Sequence, residues 1–401
     1  MPCEERMIRE RWQQVLRDGG DRPALLWEGG TMSFHELDER ARRLVAGERV
    51  LVARGDPPDL VVALLAGFLQ SRPVQLVEKD REPRLALSPL PEATCLIKQT
   101  VGGSGVRRCQ FFSEAQILAD VDRLHGALEL ADRGVILASV SQAHSYGLTV
   151  GALQTLFHGV PMHWVANPFP GVLAEAMKHH DKVFLPGVPA MWKAWLLGGL
   201  PMEKVALAVS AGSPLTLELE TRARESQGIK LHNLYGTSEC GAISYDRSEG
   251  PRCDPRDLGT ALPGVSCAVG AQGLLQVQSD SVGWGYDQPL PNEQFGNGIF
   301  QTCDRVALSE GNLFYDGSEG LGINVAGRKL SPVEIVEKIQ KGLSAVDPVV
   351  KVVARASRDS ERCQEIVAVI ERSDVVLNEE FRRAACRHLA PWEVPRAWRS
   401  I

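Results

Sequence analysis

The 401-residue sequence has no CxxC pair. Its nine cysteines, from Cys3 to Cys386, are dispersed, which argues against a disulfide frame or a zinc site and for reduced thiols. No apolar run is long enough to span a bilayer, and the opening stretch MPCEERMIRERWQQVLRDGG lacks the apolar core of a signal peptide, so no membrane span and a cytoplasmic location are expected. There is no basic cluster either: 44 Lys and Arg are scattered against 50 Asp and Glu, a formal charge of -6, which argues against a mainly electrostatic nucleic-acid or anionic-membrane partner. A phosphate loop ending in GKS or GKT and a GxGxxG dinucleotide fingerprint are both missing.

What is present is a globular composition, 44% hydrophobic and 23% charged, with length for two or three domains. Ser33 and Glu36 predict a capping box opening a helix to about Ala46, followed by the strand GERVLVAR. Asp59 is expected to cap the helix DLVVALLAGFLQ, after which RPVQLV resumes a strand. The same rhythm recurs in KVFLPG and VPAMWKAWLLGG, then in VALAVSAG, SPLTLELETRARESQG and IKLHNLYG, which predicts a layered α/β domain of parallel strands with crossover helices. Between Gly241 and Gly311, short strand-like pieces with frequent Gly, Pro and Asn suggest a small antiparallel or barrel-like part.

After Gly317, a helix starting at Ser331, Pro332 and Glu334, strands in VVKVVARAS and EIVAVIER, and a helix from Asn378 predict a small α+β unit. The expected division is 1–316 and 317–401, with DGSEGLGINVAG as linker or hinge.

Three stretches carry candidate chemistry. In QTVGGSGVRRCQ, Gly102, Gly103 and Gly105 allow backbone N–H groups to converge on an anion, Thr100 and Ser104 add hydroxyls, and Arg107 and Arg108 add charge; an ordinary glycine turn is the competing reading. In SQAHSYGLTVG, His144 is either a hydrogen-bonded structural histidine or a polar lid over an apolar pocket. In LYGTSECG, a nucleophile elbow is disfavoured because Cys240 stands where its last glycine belongs. The better reading gives Tyr235 a stacking face, Ser238 a phosphate hydrogen bond and Glu239 a hard oxygen for Mg²⁺, against a strand-end aromatic and a plain turn.

The order of these segments resembles the adenylate-forming superfamily of acyl-CoA synthetases, aryl ligases and peptide-synthetase adenylation domains. QTVGGSGVRR resembles its phosphate loop, HSYGLTVG its acyl-pocket motif, SAGSPL its adenine-side strand end and LYGTSE its YGxTE motif. LGTALPGVSCAV, GIFQTCDRVAL and INVAGRKLSPVEI follow in the family's order. The resemblance implies a large AMP-binding domain with a mobile C-terminal domain, and ATP-dependent conversion of a carboxylate to an acyl-adenylate that a thiol then attacks. It implies that Tyr235 stacks on adenine near Gly212, Ser213 and Pro214, and that Asp304 holds the ribose. Ser238 would contact the α-phosphate, Gly236 and Thr237 would belong to the same ATP/AMP site, and Glu239 would hold Mg²⁺. Thr100, Gly102, Gly103, Ser104 and Gly105 would cradle the outer phosphates, with Arg108 in the place of the usual lysine. His144 would shield the substrate carboxylate, above an acyl pocket of Tyr146, Gly147, Val188 and Ala211.

The resemblance also has gaps. The hinge-region arginine falls on Ser318, the hinge aspartate falls near Gly320, and the segment between VEKD and the phosphate loop is short. LAPWEVPRAWRSI resembles the approach to the last motif, but the sequence reaches Ile401 before the usual GK with its lysine. A slow ligase, an enzyme of the thioester step, a relative retained for nucleotide or carrier binding, and a piece of a longer chain are the four resulting expectations. QAHSYGLTVG has no acid to pair with an ammonium, so a non-amino fatty or aromatic acid is the expected substrate. The expected acceptor is the pantetheine thiol of CoA or of an acyl carrier protein.

Overall fold

The protein is described from a computed structural model covering residues 7–44, 49–79, 81–84, 89–101, 103–291, 293–343, 350–359, 363–371 and 375–400. Val135–Ala138, Met162–Trp164, Val183–Gly187, Val205–Ser210 and Leu231–Thr237 belong to the parallel part of a fourteen-stranded sheet. Helices such as Pro189–Leu197 and Leu217–Gln227 form the crossovers between neighbouring strands. Parallel strands with helices on their faces lose contact with water on both sides, and Val183–Gly187 is accordingly buried at every residue.

Leu231–Thr237 is the seam of this sheet. It pairs parallel with Val205–Ser210 on one side and antiparallel with Gly241–Tyr245 on the other. From that seam Asp257–Ala261, Asn312–Ser318, Ile299–Ser309, Leu274–Ser279 and Val265–Val269 add outward in antiparallel register. The barrel-like part expected between Gly241 and Gly311 is therefore not a closed barrel, because each new strand extends the existing sheet edge.

A second, four-stranded sheet orders Leu51–Arg54, Val74–Val77, Leu96–Val101 and Arg107–Phe112, the first three parallel and the last two a hairpin. The tip of that hairpin is the glycine turn. One continuous core runs from Ile8 and Trp12 to Val306 and Leu313, and a satellite core forms around Trp192 and Trp195.

The chain beyond the Asn312–Ser318 strand has its own core of Ile323, Leu330, Ile335, Ile339, Ile366, Ala368 and Ala385. It contains the hairpin Ile323–Val325 and Arg328–Leu330, the helices Pro332–Gly342 and Glu379–Ala385, and a three-stranded sheet. Ser331 and Asn378 cap those helices through Glu334 and Phe381 N–H. The last long strand of the preceding part runs to Ser318, two residues past the position expected for the division. Asp59 does not cap its helix: Pro58 holds the cap position, and no side chain satisfies that end. The Ser33 helix has its capping box and runs to Arg43; residues 45–48 lie outside the described set. Among the described residues no helix is long and apolar enough to cross a membrane.

Candidate functional site

Two hairpins and one strand converge where the two sheets meet. The Leu231–Thr237 and Gly241–Tyr245 hairpin turns through Ser238, Glu239 and Cys240. Asp120 fixes that turn from below: its Oδ1 accepts from Ala242 N–H at 2.9 Å, and a Cβ at Gly241, whose φ is +74°, would sit 2.3 Å from the same carboxylate. Glycine is required there by both conformation and space. A cavity of about 10 Å³, the size of one water, lies beneath the turn and is lined by Lys98, Asp120 and Ser281. Burial lowers the Lys98 pKa, and its ammonium sits 4.2 Å from the Phe112 ring centroid.

Tyr235, near the end of its strand, donates its hydroxyl to Asp304 Oδ2 at 2.7 Å. Burial, and next the Asp304 carboxylate, hold the phenol well above its ordinary pKa, so it is a donor at neutral pH. Cys303, the residue before Asp304, packs against the glycine turn: a Cβ at Gly103 would lie 2.0 Å from its sulfur. The chain from Tyr235 through Asp304 and Cys303 to Gly103 thus joins the segments from residues 99–110 and 231–246. Thr100 is buried in strand pairing opposite Arg108, Ser104 Oγ accepts from Val106 N–H at 3.3 Å, and Gly105 adopts φ +71°. Gly102 lies outside the described residues.

Gly212, Ser213 and Pro214 follow the C-terminal end of Val205–Ser210, the sheet edge where ligands bind in open α/β folds. Ser213 Oγ is buried with no hydrogen-bond partner. An orphan hydroxyl at the position assigned to the nucleotide fits a ligand-borne partner. Gly236, Thr237 and Ser238 form the strand end and turn beside Tyr235, and Thr237 Oγ1 lies 3.2 Å from Cys240 Sγ.

Around the assigned acyl pocket, Tyr146 donates to Val209 O at 3.2 Å, Ala211 is buried, and Val188 immediately precedes the helix Pro189–Leu197. Gly147 sits where its helix passes close to the 141 turn, since a Cβ would meet Ser141 O at 2.2 Å. His144 precedes that helix with its Nε2 3.8 Å from Glu78 Oε2. Burial lowers the His144 pKa despite the opposing pull of Glu78. Burial alone would raise the Glu78 pKa, but His144, Arg81, Arg328 and Arg107 together hold it below the ordinary value.

Arg108 departs from expectation. Its side chain is turned into the protein, 1% exposed, with its two terminal nitrogens 2.6 and 2.7 Å from the Glu293 carboxylate and its guanidinium 3.5 Å from the Tyr286 ring centroid. A buried guanidinium requires such pairing, and here the pairing draws it away from the open side of the glycine turn. Tyr286 in turn donates to Glu239 Oε1 at 2.6 Å. Sequence reading missed Tyr286 and Glu293 because tertiary contact alone brings them to the site. The WGY triplet, with two aromatics around a glycine, was the only hint.

The C-terminal hairpin covers the site from above. Leu321 N–H donates to Gly103 O at 2.8 Å, Ser331 Oγ to Gly105 O at 2.6 Å, and Asn324 Nδ2 to Gly212 O at 3.0 Å. Arg328 reaches Glu78 at 3.1 Å and stacks on Trp392, while Arg107 pairs with Glu334 at 2.6 Å. A larger groove, about 960 Å³ and lined by Arg11, Asp122 and Ser279, lies on another face and contains none of these residues.

The family model for AMP-binding enzymes matches residues 51–283. The long-chain-fatty-acid–CoA ligase of Bacillus subtilis (strain 168) is 22% identical over 334 residues, covering 77% of this chain and 58% of that protein. The sulfoacetate–CoA ligase of Cupriavidus necator is 27% identical over 374 residues, covering 86% of this chain and 70% of that protein. In fold, the chain is similar to a double mutant of the o-succinylbenzoate CoA synthetase of Bacillus subtilis bound with a product analogue, at TM-score 0.82 and 15% identity, covering 98% of this chain and 94% of that one.

Proposed function

The chain belongs to the AMP-binding enzyme family, and from that premise we propose that it uses ATP to activate a non-amino carboxylic acid as its acyl-adenylate and transfers the acyl group to a pantetheine thiol. The observation that carries this reading is the junction of Tyr235, Asp304, Cys303 and Gly103, which gathers an aromatic face, a carboxylate and a glycine turn where the two sheets meet. Ser213 with its orphan hydroxyl stands on the adenine side.

A carboxylate is a poor electrophile, and making it an anhydride of AMP collects negative charge at one place. Tyr235 and Asp304 orient the nucleoside, while the hydroxyl of Ser238 and the backbone of Gly103, Ser104 and Gly105 orient the phosphates. Glu239 fits a divalent cation because Tyr286 holds Oε1 and no other hydrogen bond from the described residues reaches the carboxylate. Mg²⁺ bound there supplies charge neutralisation of the phosphates. His144 shields the acid, and Tyr146, Gly147, Val188 and Ala211 line its apolar part. Glu78 does not make this an amino-acid site, because Arg328 and Arg81 already engage it.

The names of the relatives favour CoA as acceptor; the phosphopantetheine arm of a carrier protein presents the same thiol. The chain beyond Ser318, with a core of its own, forms the unit that moves between the two half reactions. ATP-dependent hydroxamate formation over a panel of carboxylic acids tests the reading. Product with fatty or aromatic acids supports it. ATP binding without product from any acid replaces it with a nucleotide-binding module, and adding CoA or a carrier to the active mixture separates the acceptors.

A further inference from the structure

Glu239 is held twice by one short segment. Its backbone carbonyl accepts from Gly283 N–H at 2.9 Å, and its Oε1 accepts from Tyr286 Oη at 2.6 Å. That segment is laced to the strand behind the glycine turn. Trp284 N–H donates to Phe111 O, Asp287 N–H to Cys109 O, and Cys109 N–H to Asp287 Oδ1, each at 2.9 Å. The backbone on both sides of Tyr286 is therefore fixed by this pairing.

Over its ring lies Arg108, forked onto Glu293 by two hydrogen bonds and bonded to Gln288 O at 3.0 Å. Arg108, Tyr286 and Glu239 are all buried, at 1%, 7% and 4% exposure, so each member is confined by packing as well as by its partner.

We infer that Tyr286, Arg108 and Glu293 are positioning residues that hold the Glu239 carboxylate in one orientation for a divalent cation, an inference that rests on the reading of Glu239 as the Mg²⁺ ligand. The hydroxyl of Tyr286 occupies Oε1 and leaves Oε2 for the ion. Arg108 presses the ring in place by stacking on it, and a planar guanidinium can stack and grip a carboxylate with both nitrogens at once, which a lysine ammonium cannot. Glu293 also cancels the Arg108 charge, so the positive group behind the site does not repel an incoming cation. Groups standing behind a metal ligand typically change metal affinity or activity 10- to 100-fold when removed.

The test is an electron paramagnetic resonance titration of Mn²⁺ onto the full chain with a non-hydrolysable ATP analogue, with nucleotide-only Mn²⁺ subtracted. Tyr286→Phe is expected to weaken Mn²⁺ binding about tenfold while leaving binding of the metal-free analogue unchanged. Glu239→Gln is expected to weaken Mn²⁺ binding at least as much, and adding Tyr286→Phe to it should cause no further loss, because the carboxylate through which Tyr286 acts is gone. Glu293→Gln, at the more exposed end of the network, should give a several-fold loss in a fully folded protein, which keeps the test decisive if Tyr286→Phe folds poorly. Tight Mn²⁺ binding in the wild type with no change in the folded variants overturns the inference alone, as do additive losses in the double variant. A wild type that takes up no Mn²⁺ with the analogue overturns the reading of Glu239 and the inference with it.

Discussion

Tyr235 and Asp304, 69 residues apart in sequence and on two strands of the fourteen-stranded sheet, are joined by a 2.7 Å hydrogen bond. Tyr235→Phe removes the donor and leaves the ring. The expected result is a loss of about 1–2 kcal/mol in stability and a several-fold rise in the KM for ATP, because Asp304 then loses its fixed orientation. Asp304→Ala should raise that KM by about tenfold or more. Unfolding curves and initial rates check both, and an unchanged KM in Asp304→Ala removes Asp304 from the nucleotide site.

Glu239→Gln retains an oxygen that can accept from Tyr286. Its stability should therefore change by about 1 kcal/mol or less, while Mg²⁺-dependent hydroxamate formation drops about 10²-fold. A parallel fall of the unfolding midpoint and the rate would make the residue structural.

Arg328 ties the C-terminal hairpin to Glu78 at 3.1 Å and rests on Trp392 at 4.0 Å. Both charged groups are partly exposed, so Arg328→Ala should cost only about 0.5–1 kcal/mol. Its clearer effect should be local: faster amide hydrogen exchange in the hairpin Ile323–Val325 and Arg328–Leu330, and at Gly103 and Gly105. Exchange identical to wild type would mean that the ion pair does not hold the hairpin down.

His163 Nδ1 and His180 Nε2 lie 2.8 Å apart, and a pair so placed shares one proton. Burial first, and His163 next, push His180 from the ordinary 6.5 down to about 4. The unfolded chain then binds a proton more readily than the folded one, so stability falls as pH drops from about 6.5 towards 4 and levels off below. His180→Gln should flatten part of that acid limb by about 1 kcal/mol, the low figure allowing for solvent screening. Melting temperatures at pH 7 and pH 4.5 decide it; equal slopes in both proteins would show that His180 does not contribute.

Much of this was legible locally. The capping box at Ser33 and Glu36, the caps at Ser331 and Asn378, and the apolar run Val183–Gly187 depend on neighbours in sequence, and each has the expected form. The segments proposed to carry the chemistry could be picked out from glycines and hydroxyls at short spacing. Of the two forms expected between Gly241 and Gly311, antiparallel or barrel-like, the antiparallel one is present, and as an extension of the main sheet because the partner of Gly241–Tyr245 is Leu231–Thr237, a pairing that composition does not encode. Arg108 read as a phosphate contact because its spacing from Gly105 is right; its direction is set by Glu293 and Tyr286, 185 and 178 residues later. The covering of Gly103, Gly105 and Gly212 by Leu321, Ser331 and Asn324 was equally invisible, being made mostly with backbone oxygens that any residue supplies.

The most direct measurement follows one oxygen atom. An acid that gives hydroxamate is prepared with ¹⁸O in its carboxylate and incubated with the protein, ATP, Mg²⁺ and CoA, and the nucleotide product is weighed by mass spectrometry. Attack of the carboxylate on the α-phosphorus transfers one labelled oxygen, so AMP heavier by one ¹⁸O is expected together with pyrophosphate. Unlabelled AMP, or ADP in its place, would contradict acyl-adenylate formation.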